Sequence, residues 1–262
     1  MRSLIREESK RDVAVLFDLE DTLVQTPWSS HQHVVEFRRS TREKLVDLGV
    51  PAMVFEGIER STILRNKASE YVERHFDEAA AKRFRREMDR FLSRYELDSA
   101  KKSMLFDETI STLETLKRLG VKMGLVTNTS KKAVDVVFQM HGLREYFDVV
   151  VTRESVRTLK PAPEGILLAV KKLGVTYFFM VGDLMLDLLA TRDAKGVAII
   201  VVREPEKSDF QDLSKGLPAV VLKEAQRTFE ERRDLKADYV IQSLTEVPEI
   251  VEAEKGKIWS HS

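Results

Sequence analysis

The sequence predicts a parallel α/β fold with an all-helical insertion, and three observations carry that prediction. Short apolar runs, each bounded by polar or turn residues, recur along the chain as strands buried on both faces do. Helical patterns lie between them, and that alternation implies a parallel sheet covered by helices on either side. One long segment after the first run holds amphipathic helical stretches and no convincing strand.

The strand runs are 13–17, 121–126, 149–151, 177–181 and 197–202, with 239–241 a weaker sixth. The first leads into the helical segment, about 26–102. Its first stripe carries Val34, Phe37, Leu45 and Leu48. Its second carries Leu64, Ala68, Tyr71, Val72, Phe76 and Ala79, and its third Phe84, Met88, Phe91, Leu92 and Tyr95. Apolar residues at that spacing need a partner surface, so the stretches should pack on one another or on the sheet. Beyond the insertion, Ile110, Leu113, Leu116 and Leu119 mark a helix ending at Gly120. Ser130 is placed to cap a helix that runs to His141 and stops at Gly142. Pro163 suits the first turn of a helix ending near Leu173, with Gly174 after it. A further helix over 184–195 should end at Gly196, and another is expected over 218–233.

Composition narrows the function. The chain has 262 residues, room for one large domain or two modest ones, and 43% apolar residues supply a sizeable core. Lysine plus arginine (43) equals aspartate plus glutamate (43), which argues against a wholesale electrostatic binder of nucleic acid or membrane. The absence of cysteine excludes disulfides, thiolate metal sites and a thiol nucleophile. No run approaches the ~20 apolar residues needed to span a bilayer, and nothing at the start has the form of a targeting segment. A cytoplasmic protein is the expectation. There is no Gly-x-Gly pair, no P-loop sequence, no His-Glu-x-x-His and no Gly-x-Ser-x-Gly.

In an open parallel sheet, ligands bind beyond the carboxyl ends of the strands. The first strand here runs into Asp18-Leu19-Glu20-Asp21-Thr22, and the second into Thr127-Asn128-Thr129-Ser130. The third is followed by Lys160-Pro161-Ala162-Pro163, and the fourth runs into Gly182-Asp183 with Asp187 four residues on. Carboxylates from two strands, a hydroxyl, an amide and a lysine thus meet at one edge. Crowded carboxylates repel unless a cation sits among them, which implies a hard oxygen-liganded ion such as Mg²⁺. The lysine, the Thr127 hydroxyl and a helix N-terminus would hold an anion beside it. A metal, an anion cradle and a carboxylate nucleophile describe phosphoryl transfer.

These four motifs, in this order, resemble the haloacid dehalogenase (HAD) superfamily, in its phosphatase branch with a helical C1-type cap. The chain is similar to phosphoglycolate-phosphatase-like proteins. The resemblance implies a Rossmann-like core of residues 1–25 and 103–262 with a cap over 26–102. It implies that Asp18 attacks phosphorus to form an aspartyl-phosphate. Residue 20 would protonate the leaving group and then activate water. Thr127 and Lys160 would bind the phosphoryl oxygens, with Asn128 helping to position them. Mg²⁺ would be held by Asp18, the backbone carbonyl of Glu20 and Asp183, with Asp187 binding the ion or orienting Lys160. The implied reaction is hydrolysis of a small phosphorylated metabolite, with no nucleic acid or membrane partner; the sequence sets no oligomeric state.

One position departs from the family pattern, which has Asp where this chain has Glu20. The extra methylene shifts the carboxylate by about 1.5 Å, enough to slow acid and base steps while leaving a backbone metal ligand intact. On that account Glu20→Asp should raise turnover. Two alternatives keep the same fold: a catalytically weak metal- and phosphate-binding or regulatory protein, and a phosphomutase using the same Asp18. Asp21 is expected to make local turn hydrogen bonds. The arginine clusters 38, 39, 42 and 83, 85, 86, 90 read as solvated faces with acidic neighbours, with a smaller case for contact with an anionic substrate. Trp28 is read as packing, and His31 and His33, two apart, as too divergent on a helix for a metal pair.

Overall fold

The computed structural model describes residues 13–26, 31–58, 60–203 and 236–260. The expected helix over 218–233, Trp28 and the side chains of His31 and His33 lie outside the described residues.

Six strands form one parallel sheet. β1 (Val13–Phe17), β4 (Lys122–Val126), β5 (Val149–Val151), β6 (Tyr177–Gly182), β7 (Val197–Val201) and β8 (Tyr239–Ile241) lie in the order β5-β4-β1-β6-β7-β8. Every pairing in it is parallel. Alternation along β1 sorts the two layers. Val13, Val15 and Phe17 point into a core that holds Leu113 and Leu116 of α4 (Thr109–Arg118), Val134 and Phe138 of α5 (Lys131–His141), and Val247 and Val251 of α8 (Glu246–Ser260). Ala14 and Leu16 point the other way, toward Ile166 and Ala169 of α6 (Glu164–Leu173) and Ala190 of α7 (Met185–Asp193). Every residue of β1 is buried, which is why its sequence reads as a continuous apolar run.

The insertion consists of α1 (His31–Asp47), α2 (Ser61–His75) and α3 (Glu78–Ala100). It has its own core, with Leu45, Phe55, Leu64, Ala68, Val72, Phe84, Met88 and Leu92 packed together. The chain leaves and re-enters the sheet domain through a two-residue antiparallel pair, β2 (Val24–Gln25) and β3 (Met104–Leu105), too short to show a period in the sequence.

Local expectations needed correction at three helix ends. The second apolar stripe breaks at Phe76, which is exposed, because the Asp77 side chain accepts a hydrogen bond from Ala80 N at 2.7 Å and starts α3. Ser130 stands at the N-cap of α5, but its buried hydroxyl has no hydrogen-bond partner; its backbone N–H donates to the Glu96 carboxylate at 3.0 Å instead. After α7 the left-handed residue is Lys195 (φ 62°), not Gly196. Gly196 is required for another reason, since a Cβ there would lie 2.2 Å from the Phe178 ring.

Candidate active site

β1 is central, with β4 on one side and β6 on the other, so the chain winds outward in both directions from it. The carboxyl ends of these strands border the crevice that such a reversal opens. Asp18 leaves β1 there, its N–H bonded to Val181 O of β6 at 2.9 Å. Thr127 leaves β4, its N–H bonded to Val151 O at 3.0 Å. Asp183 follows β6, and Asp187 sits in the first turn of α7. Lys160 arrives on the loop before α6 and is joined to Pro161 by a cis peptide bond.

Lys160 is the hub of this group. Its Nζ donates to Asp187 Oδ1 at 2.6 Å and to Val126 O at 3.0 Å. It also forms an ion pair with Asp18 Oδ1 at 2.9 Å. Burial alone would push the ammonium toward neutrality; Asp18 and Asp187 outweigh it and hold the proton more firmly than on an ordinary lysine. Asn128 fixes the lysine from behind: its Oδ1 accepts from Lys160 N at 3.0 Å and its Nδ2 donates to Lys160 O at 3.2 Å. Both polar atoms of that side chain therefore engage the lysine backbone.

One oxygen from each of Asp18, Asp183 and Asp187 lies within 4.8 Å of the other two. Burial raises the Asp183 carboxyl well above its ordinary range, with Asp187 and Asp18 adding repulsion. Burial raises Asp187 to about 6, against the pull of Lys160. Thr22 Oγ1 donates to Asp183 Oδ1 at 3.2 Å, and Leu184 N donates to Asp187 Oδ2 at 3.1 Å, so both side chains are oriented. Gly182 is obligatory here because a Cβ would come within 2.4 Å of Asp187 Cγ. Hard oxygen donors close together and mutually repelling fit a small divalent cation. The Glu20 side chain is not in this trio.

Glu20 points elsewhere in the same cavity. Its Oε2 accepts from Thr129 Oγ1 at 2.9 Å. Burial pushes its carboxyl up to about 8, the Glu96 charge adds to that, and the Thr129 hydrogen bond acts in the opposite direction. Asp21 also borders the cavity, but with φ 55° its Oδ1 accepts from Thr26 N at 3.1 Å and Thr26 Oγ1 at 3.3 Å, the local turn role expected of it.

The cavity has a volume of about 280 Å³ and lies between the sheet edge and the insertion. All seven residues singled out in the sequence line it: Asp18, Glu20, Thr127, Asn128, Lys160, Asp183 and Asp187. The insertion supplies Phe37, Arg38, Arg60, Arg65, Leu92 and Glu96. Of the arginine clusters, Arg39 does pair with Glu36 and Glu43 on an exposed face, and Arg85 and Arg90 with Glu73 and Glu87. Arg38 instead lines the cavity. Arg60, at the N-cap of α2, lies within electrostatic reach of Arg38, Asp183 and Asp187.

Sequence reasoning missed Thr129, Glu96, Arg60 and Arg153. Glu96 had a detectable signal. Asp89, Ser93 and Glu96 repeat at helical spacing beside the apolar residues Met88 and Leu92, a polar row on the edge of a buried stripe. Arg153, in a turn after β5, carried none.

Comparison with known proteins bears on this arrangement. A family model described as haloacid dehalogenase-like hydrolase matches residues 13–195. A pyrophosphatase PpaX from Bacillus velezensis is 29% identical over 198 residues, covering 71% of this chain and 81% of the relative. An N-acetylmuramic acid 6-phosphate phosphatase from Pseudomonas putida is 28% identical over 183 residues, covering 69% and 78%. Among solved structures, a HAD phosphatase from Thermococcus onnurineus is 25% identical with a TM-score of 0.50, covering 91% of this chain and 97% of its own. A haloacid dehalogenase-like hydrolase from Bacteroides fragilis has a TM-score of 0.55 at 22% identity, covering 90% and 98%, a likeness of fold alone.

Proposed function

This chain belongs to the haloacid dehalogenase-like hydrolases, and from that premise we propose that it is a Mg²⁺-dependent phosphomonoesterase working through an aspartyl-phosphate on Asp18. The observation that carries the reading is the meeting of Asp18, Lys160, Asp183 and Asp187 in one small cavity beside a second carboxyl, Glu20. At about 280 Å³ the cavity sits at the low end of ligand pockets, roughly 300–1,000 Å³, which suits a small phosphorylated metabolite. One relative is named a phosphatase of N-acetylmuramic acid 6-phosphate, which supports this substrate class.

In this reading an Asp18 carboxylate oxygen attacks phosphorus and the bond to the leaving oxygen breaks. Glu20, whose burial favours the protonated form, gives its proton to that oxygen. It then takes a proton from the water that attacks the aspartyl-phosphate, which restores Asp18. Lys160 and Thr127 bind the phosphoryl oxygens and stabilise the charge that grows on them. Asn128 contributes by holding the Lys160 backbone. Asp18, Asp183, the Glu20 backbone carbonyl and Asp187 would hold the ion. Bound Mg²⁺ would offset the repulsion among these carboxylates and polarise a phosphoryl oxygen. Residues 26–102 would act as a cap that encloses the substrate and keeps bulk water from the leaving group. Arg38 and Arg60, on the cap side of the cavity, would add positive charge facing the phosphoryl group.

The test is hydrolysis of 4-nitrophenyl phosphate with and without Mg²⁺, beside Asp18→Asn. Turnover should require the metal and fall at least about a thousandfold in the variant, as expected for loss of a nucleophile. Turnover that survives Asp18→Asn would refute the mechanism.

A further inference from the structure

The Thr129–Ser130 turn, between Glu20 and the insertion, is held from four directions. Thr129 Oγ1 donates to Glu20 Oε2 at 2.9 Å, and Thr129 N donates to Thr127 Oγ1 at 3.2 Å. Thr129 O accepts from Arg153 N at 3.0 Å, and Ser130 N donates to Glu96 Oε2 at 3.0 Å. Three of these contacts come from the sheet domain. The fourth, Glu96, belongs to α3 of the insertion.

Glu96 is itself locked in place. The Arg153 guanidinium bonds its other oxygen, Oε1, and also reaches Asp89 Oδ1 at 3.0 Å, Asp89 O at 3.2 Å and Ser93 Oγ at 3.0 Å. Arg153 is 1% exposed, so a full positive charge is buried where the two parts of the chain meet, and its anionic partners all come from the insertion. A charge buried this deeply is tolerated only while its partners stay in contact. Docking of the insertion and the order of the Thr129–Ser130 turn are therefore linked through one side chain.

We propose that Thr129 and Glu96 are positioning residues for Glu20, and that the Arg153 contact makes the acid step at the leaving group depend on docking of the helical insertion. The inference rests on the acid role given to Glu20 above. Glu20 is one methylene longer than the family's usual residue, and its carboxyl end is held by the Thr129 hydroxyl. A free glutamate would sample several rotamers, only some of which reach a leaving oxygen.

Leaving-group dependence tests this, because a structural role would not produce it. An aryl phosphate such as 4-nitrophenyl phosphate departs with little help from an acid, whereas an alkyl phosphate needs its oxygen protonated. The variants are Thr129→Val, which removes the hydroxyl at equal size, and Asp89→Asn, which weakens the contacts of Asp89 with Arg153 and Arg65 without touching Thr129 or Glu20. Thr129→Ser is the rescue. Arg153 itself is left intact, since removing it would strand buried carboxylates and destabilise the fold.

For Thr129→Val, kcat/KM, which reports formation of the aspartyl-phosphate and not its hydrolysis, should fall at least about tenfold on the alkyl phosphate and by less than about twofold on the aryl phosphate. Asp89→Asn should show the same selectivity at smaller size, and Thr129→Ser should recover most of the alkyl rate. Equal losses of kcat/KM on both esters, or no loss on either, would overturn the inference while leaving Asp18-dependent hydrolysis intact. Wild-type protein without Asp18-dependent turnover would overturn the reading on which it rests.

Discussion

Glu20 accepts its hydrogen bond from Thr129 at 2.9 Å, and that contact changes what its extra methylene does. On sequence grounds alone the longer side chain misplaces an acid, and shortening it should help. In the folded protein the length carries the carboxyl to its partner. Glu20→Asp would withdraw it from Thr129, so turnover of an alkyl phosphate should fall by on the order of tenfold instead of rising, measured as kcat at saturating Mg²⁺. Asp18, Asp183 and Asp187 were legible in the sequence because they stand in short motifs at strand ends, which the backbone puts together, and Lys160 because of the Pro-x-Pro that follows it on the loop before α6. Their mutual distances were not. The 2.6 Å contact between Lys160 and Asp187 and the clamp that Asn128 places on the lysine backbone depend on loops that meet only after folding.

At the scale of elements, apolar periodicity located the helices better than it located their ends. The run through Phe76 and Ala79 keeps a helical period, yet α2 stops and α3 starts within it because Asp77 satisfies an N-terminal amide that would otherwise lack a partner. Asp77→Ala should lower the unfolding free energy by about 1 kcal/mol in a urea titration, with activity nearly unchanged. Ser130 looks like the same device and is not one. Its hydroxyl is buried without a partner, and the amide at that helix start is satisfied by Glu96 from another element. Gly142 and Gly174 do end α5 and α6 in the left-handed region, where a side chain would be strained. The third helix of the insertion runs on to Ala100, beyond its last aromatic residue, and its polar edge turns toward Arg153.

For the whole molecule, three carboxylates gathered at the edge of a six-stranded sheet make stability depend on what neutralises them. Mg²⁺ at ten times its dissociation constant should stabilise the wild type by about 1.4 kcal/mol relative to EDTA, read from urea unfolding. Asp183→Asn should abolish that gain while stabilising the metal-free protein, because it removes one of three repelling charges. No described helix is long and apolar enough to cross a membrane. The parallel sheet, the inserted helices and the strand-end residues that line the cavity were present in the sequence as local patterns: continuous apolar runs, helical stripes, and short motifs after each strand. Each pattern is set by neighbours along the chain, so the chain alone determines it. Only the tertiary structure decided that Glu96 and Arg153 meet, that Arg60 faces the acidic cluster and that Thr129 holds Glu20. Those contacts join residues more than fifty positions apart, and their energies come from burial and charge proximity that exist only once the chain has folded.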